Sequence, residues 1–261
     1  MIGIFDSGLG GLTVVRSLLR RVPDCPPLYF GDTARTPYGS KSPETIQRYA
    51  IEDTEALVSR GAKVIIVACN TVSSTAMPAL REHFPDVRFY EVITPAAMRA
   101  VTVTKTKRIG VVGTRATIAA SAYAKAIAAI DPTVSVIAQA CPLIVPMIEE
   151  GWHKSAELRS IIRAYLEPLV GLDTLILGCT HYPIVRDLFA DVMGPGVSII
   201  DCADAVTEQF VSDMTHDAAL ASRCVNHGAA QFFVSDVTPH FQTIASEWLG
   251  TAIPLVAAPQ K

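Results

Sequence analysis

The chain has 261 residues and a formal net charge of −3; half of its residues are hydrophobic and only 18% are charged. That composition supplies a buried core for one large domain or two modest ones and excludes general disorder. A slightly acidic balance without a basic block or an aromatic–basic stripe argues against a nucleic-acid partner. No apolar run approaches the roughly 20 residues that a membrane helix needs.

Residues 2–5 are apolar and run into a turn, a strand rather than a charged leader, so a cytoplasmic location is expected. Residues 8–11, glycine at all but Leu9, turn the chain, and residues 12–21 place Leu and Val at helical spacing. A strand is predicted at 28–30. A helix over 42–60 opens on Ser42 as cap with Pro43 in its first turn. Strands follow at 64–68 and 87–92. The pattern restarts at 108–113, again strand, turn and helix, with further strands at 134–138, 174–178 and 197–200 and a helix at 155–170. The last elements are a strand at 231–234, a helix at 239–249 and a short strand at 253–256. Continuous apolar strands alternating with helices predict α/β architecture, with mainly parallel sheets covered on both faces and ligands at the strand C-termini.

One feature stands out. Val64-Ile65-Ile66-Val67-Ala68-Cys69-Asn70-Thr71 is similar to Thr174-Leu175-Ile176-Leu177-Gly178-Cys179-Thr180-His181. Each is a buried strand, a small residue, a cysteine, then polar residues opening a helix. Residues 2–6 and 109–113 are likewise both strands running into turns. The chain therefore reads as two related α/β halves, each giving one cysteine to a shared cleft.

The six cysteines (Cys25, Cys69, Cys141, Cys179, Cys202 and Cys224) form no C-x-x-C pair and no compact metal cluster. In a cytosolic chain they are expected to be reduced, and most to be small buried residues. Cys69 and Cys179 differ by their duplicated setting. A thiol facing a helix N-terminus sits where thiolate is favoured, so a lowered pKa is expected for both. Two such thiols suit the inversion of a stereocentre by proton transfer, with a base on one face and an acid on the other. A cysteine hydrolase needs one thiol with a histidine orienter, and an amino-acid-binding module needs neither thiol. The glycines at 8, 10 and 11 lack both the Lys-Ser/Thr of a P-loop and the Rossmann spacing, so a nucleotide site is rejected.

Asp6-Ser7-Gly8-Leu9-Gly10-Gly11, Pro37-Tyr38-Gly39, Ala68-Cys69-Asn70-Thr71 and Gly178-Cys179-Thr180-His181-Tyr182-Pro183 together resemble the glutamate racemases of the aspartate/glutamate racemase family. Gly113-Thr114-Arg115-Ala116-Thr117, the segment 145–151 and Phe232-Phe233-Val234-Ser235-Asp236 extend the resemblance over essentially the whole chain. The resemblance implies two similar α/β domains, residues 1–93 plus 206–261 and residues 94–205, with the active site in the cleft between them. It implies interconversion of L- and D-glutamate without pyridoxal phosphate, other cofactor or metal. Cys69 would act as base towards D-glutamate and Cys179 towards L-glutamate. Asp6, His181 and Glu149 match assisting groups, with Glu150 an adjacent competitor of Glu149. Asp6, Ser7, Pro37, Tyr38, Gly39, Asn70, Thr71, Thr114, Thr117, Thr180 and His181 match positions that hold the substrate's carboxylates and ammonium. The product would feed peptidoglycan synthesis, and a homodimer is compatible with the family. A related racemase for aspartate or hydantoins is the nearest alternative; His181 after Cys179-Thr180 favours glutamate.

Overall fold

The computed structural model of the chain describes residues 1–224 and 228–258. The first half runs β1 (Ile2–Asp6), α1 (Leu12–Arg21), β2 (Leu28–Gly31), α2 (Pro43–Val58), β3 (Val64–Val67), α3 (Asn70–Thr75), α4 (Met77–His83) and β4 (Arg88–Glu91). Helix α5 (Ile93–Val103) leads into β5 (Arg108–Gly113), α6 (Arg115–Ala119), α7 (Ala122–Ile130), β6 (Ser135–Ala140), α8 (Ile144–Glu149), α9 (Ala156–Leu166), β7 (Thr174–Gly178), α10 (Arg186–Met193) and β8 (Ser198–Asp201). Helices α11 (Cys202–His216) and α12 (Ala218–Cys224) precede β9 (Gln231–Val234), α13 (Pro239–Leu249) and β10 (Leu255–Ala257).

These strands form two sheets, a six-stranded one in the order β10-β9-β2-β1-β3-β4 and a four-stranded one in the order β6-β5-β7-β8. Every pairing among the described residues is parallel. Parallel strands need covered faces, and the alternation of side chains supplies them. Ile2, Ile4, Val64 and Ile66 face one apolar cluster, while Phe5, Phe30, Ile65 and Val67 face another on the opposite side of the first sheet. The first of these clusters continues into the second sheet through Val111, Val112, Ile176 and Leu177, so the two domains share packed apolar contact. Each such Ile or Leu contributes about 1.5–3 kcal/mol by leaving water.

Caps behave as their chemistry requires. Ser42 accepts from the Thr45 N–H ahead of Pro43, Ser155 from Leu158 and Thr238 from Phe241. The helix expected over 155–170 ends at Leu166, and Glu167–Leu169 tightens into a 3₁₀ turn around Pro168. The two longest helices without a counterpart in the sequence reading are α5 and α11. The buried face of α5 is largely Ala96, Ala97 and Ala100, too weak an apolar stripe to stand out, and Pro95 in its first turn resembles a break. Helix α11 is capped by Asp201, whose carboxylate accepts from the Ala203 N–H. No helix among the described residues is long and apolar enough to cross a membrane.

Candidate active site

Register sets the site. Phe5 pairs with both Phe30 and Val67, so the chain leaves β1, β2 and β3 at one level. In the second sheet Gly113 pairs with Gly178, so Thr114 and Cys179 emerge side by side. The loops after these five strand ends meet in one narrow cleft with room for about 20 Å³, lined by Ser7, Thr36, Pro37, Tyr38, Gly39, Cys69, Asn70, Thr71, Thr114, Val145, Cys179, Thr180 and His181. Cys69 enters from the end of β3 and Cys179 from the end of β7, so each domain contributes one thiol. They are 4% and 6% exposed.

Glycine permits this close approach. A Cβ on Gly10 would collide with the Thr180 hydroxyl and the His181 ring, and one on Gly39 would lie 2.5 Å from Thr114 Cβ. Both are places where a first-domain loop touches the second domain.

The two thiols have different surroundings. Cys69 stands at the N-cap of α3 with its Sγ 3.4 Å from Ser7 Oγ. The expected lowering of its pKa does not occur. Burial, and after it the Asp6 carboxylate, push the thiol up to about 12; hydrogen bonds from Ser7 and the Val72 N–H oppose this only in part. Desolvation in a closed cleft outweighs the partial charge of a short helix. The second half of the repeat also departs from expectation: Thr180 and His181 form a turn, Tyr182–Val185 a 3₁₀ segment, and an α-helix begins only at Arg186. Instead, Cys179 Sγ lies 3.9 Å from His181 Nδ1, and His181 Nε2 lies 2.9 Å from Glu149 Oε1. Burial disfavours the imidazolium, but hydrogen bonds to Cys179 and Glu149 and their charges hold the His181 pKa well above the ordinary histidine value. Glu149 rather than the exposed Glu150 makes this contact.

Asp6 sits behind the lining. Its carboxylate accepts from Gly8 N–H at 3.1 Å and from the Thr180 hydroxyl at 3.2 Å, linking the two domains. Burial raises its pKa, against the His181 charge and these hydrogen bonds. Thr117 also lies behind the wall. Its hydroxyl, with those of Thr71 and Thr114, forms a triangle of 3.0–3.3 Å contacts across the domains.

Tyr38 presents its backbone turn to the cleft while its ring points away. Its hydroxyl contacts Asp32 Oδ2 and, at 2.9 Å, Asp53 Oδ2. Arg35 binds Asp32 at 2.6 Å and Asp53 at 3.1 Å. Burial and the Asp32 charge hold the Asp53 pKa well above the usual carboxylate range, against the Arg35 charge and the hydrogen bond from Tyr38. Thr36 and Val145, which also line the cleft, were not anticipated. Each lies next to or within a segment already singled out, but neither carries chemistry that marks it.

A family model described as Asp/Glu/Hydantoin racemase matches residues 2–210. A glutamate racemase of Geobacter metallireducens is 44% identical over 251 residues, 95% of this chain and 92% of the relative. One of Neisseria meningitidis is 38% identical over 95% of this chain and 92% of its own length. A solved glutamate racemase from Bacillus anthracis aligns with a TM-score of 0.92 at 33% identity, covering 99% and 97% of the two chains. One from Francisella tularensis, in complex with D-glutamate, gives 0.90 at 33% identity with the same coverage. The chain belongs to the Asp/Glu/Hydantoin racemase family, in which its similarities place it among the glutamate racemases. It is an isomerase.

Proposed function

We propose that this protein interconverts L- and D-glutamate by a cofactor-independent two-base reaction between Cys69 and Cys179. The observation that carries the reading is the meeting of two thiols, one from each domain, in a single enclosed cleft. The glutamate racemases among its relatives, one of them in complex with D-glutamate, support the substrate.

Racemisation needs one sulfur as thiolate and the other as thiol. The Cys69 thiol, held neutral by burial, suits the acid. An imidazolium at His181, held by Glu149, supplies the positive charge against which a Cys179 thiolate can form. In the L-to-D direction Cys179 takes the α-proton and Cys69 donates its own to the opposite face, leaving Cys69 as thiolate and Cys179 as thiol. The reverse direction exchanges the roles. The α-proton of an amino acid is very weakly acidic, so the intermediate carbanion needs a site from which water is excluded and in which dipoles are fixed. Thr71, Thr114 and Thr180 hydroxyls, Ser7, the Asn70 amide and the Pro37-Tyr38-Gly39 turn are assigned to the substrate's carboxylates and ammonium, with Asp6 supporting Thr180 and Thr117 supporting Thr71 and Thr114 from behind. Residues 1–93 plus 206–261 and residues 94–205 are the two bodies whose relative movement admits substrate. The chain is placed in the cytoplasm, where D-glutamate would supply peptidoglycan synthesis.

Loss of optical rotation from L-glutamate and from L-aspartate, followed side by side with purified protein and no added cofactor, tests the reading. Glutamate should racemise and aspartate should react far more slowly. Faster aspartate turnover would overturn the substrate, and dependence on added cofactor would overturn the mechanism.

A further inference from the structure

Asn70 occupies an unusual position among the cleft residues. It is 2% exposed and belongs to the first domain, yet its Oδ1 lies 2.6 Å from the hydroxyl of Tyr123 on α7 of the second. An amide oxygen only accepts, so Tyr123 donates to it. The Tyr123 oxygen in turn lies 2.9 Å from Cys202 Sγ, and that sulfur lies 3.1 Å from the Leu177 carbonyl. Cys202 is the first residue of α11, so the tyrosine hydroxyl, itself on α7, rests against a second element of its own domain; its one proton goes to Asn70, and the single thiol proton of Cys202 serves either the tyrosine oxygen or the Leu177 carbonyl. With Oδ1 turned to Tyr123, the other end of the planar amide is directed elsewhere. Asn70 Nδ2 is buried and has no hydrogen-bond partner. Buried donors are nearly always satisfied, and Asn70 lines the cleft.

We propose that Tyr123 is a positioning residue, fixing the Asn70 amide so that its Nδ2 donates to the α-carboxylate of the bound amino acid. This rests on the functional reading above and deepens it. An N–H donor selects an anion over an ammonium. Asn70 directly follows Cys69, whose sulfur must reach the α-carbon, so the carboxylate attached to that carbon is the one within range. The remote carboxylate would lie at the other end of the substrate. Without the tyrosine hydroxyl the amide is free to turn, and half of its orientations present oxygen to the substrate's negative charge. Because the Asn70–Tyr123 bond crosses from one domain to the other, the donor is set when the domains are together.

Titration calorimetry with racemic glutamate, whose composition turnover leaves unchanged, measures the contact. Wild-type protein should bind; failure there would count against the functional reading itself, before any variant is made. Tyr123→Phe removes one oxygen and should weaken binding about tenfold, the ordinary worth of a hydrogen bond to a charged group. Asn70→Ala should weaken it at least as much, and the double variant should match Asn70→Ala alone, because Tyr123 acts only through the amide. A general packing defect would instead add to the loss in the double variant. Asn70→Asp keeps the acceptor facing Tyr123 and replaces the donor by a charged oxygen; it should bind more weakly than Asn70→Ala, and it keeps the test decisive if Tyr123→Phe folds poorly. Unchanged affinity in Tyr123→Phe, additive losses, or wild-type affinity in Asn70→Asp would overturn the proposal.

Discussion

At the scale of single residues, the asymmetry between the two thiols is the main finding. A repeated strand–cysteine motif suggested two equivalent sulfurs, and the sequence made both legible. Their difference was not legible, because it depends on burial and on partners far away in the chain: Asp6 and Ser7 beside Cys69, and Glu149 beside His181. That Glu149 and not Glu150 faces His181 was illegible for the same reason, since adjacent residues differ only in what they face. Removing the Glu149 charge by Glu149→Gln should lower the His181 pKa and move the basic limb of the kcat/KM profile to lower pH. It should reduce kcat/KM by about tenfold, a loss of about 1.4 kcal/mol. The factor must be equal in both directions, because the equilibrium constant of a racemisation is one. α-Proton exchange out of L-glutamate, the step given to Cys179, should suffer more than exchange out of D-glutamate. A profile that does not move would remove Glu149 from the base-supporting role.

At the scale of elements, the site depends on loops held from behind. The Tyr38-Gly39 turn is anchored by Asp32, Asp53 and Arg35, with Ser235 Oγ bonding Asp32 Oδ1 at 2.7 Å. Of this group Tyr38 was singled out from the sequence for its turn rather than its hydroxyl, Ser235 only within a segment of the resemblance, and Asp32, Arg35 and Asp53 not at all. Its buried partners come from the loops after β2 and β9 and from α2, which topology alone brings together. Tyr38→Phe leaves these groups short of a donor and should cost about 1–3 kcal/mol in a urea melt, with a raised KM as the turn loosens. A variant as stable as wild type would show that the carboxylates find another arrangement. Gly10→Ala should fold but lose at least about tenfold in kcat/KM, because its methyl group displaces Thr180 and His181; overpacking of this kind costs about 1–3 kcal/mol. Strands with continuous Val and Ile were legible in sequence within one or two residues. Helix α5 was not, because alanine packs closely without announcing a face.

At the scale of the whole molecule, burial of titratable groups sets the pH dependence of stability. Free thiols average near 9 in the unfolded chain, whereas burial raises Cys69 and Cys141 to about 12 and Cys224 to about 11 in the folded one, and raises Tyr29, Tyr123 and Tyr182 as well. Folded values above unfolded values mean that the native state keeps protons the unfolded state has released. This stabilisation is complete below about pH 9 and disappears as pH rises through the folded values. The urea midpoint should therefore fall between about pH 8 and about pH 10.5; a constant midpoint would mean that these groups are solvated. The proposed parting of the domains would open the way to cleft residues as buried as Asn70 and Thr71. Glutamate at about 100 times its Kd should then stabilise the closed form by about 2.7 kcal/mol and raise Tm. The claim on which the rest depends is that the two sulfurs serve opposite faces of one α-carbon. Deuterium incorporation at that carbon, measured for Cys69→Ser and Cys179→Ser with each enantiomer of glutamate in heavy water, tests it most directly. Both variants should lose racemisation, Cys69→Ser retaining more exchange with L-glutamate and Cys179→Ser more with D-glutamate. Full racemisation by either variant, or the same residual pattern in both, would contradict the account.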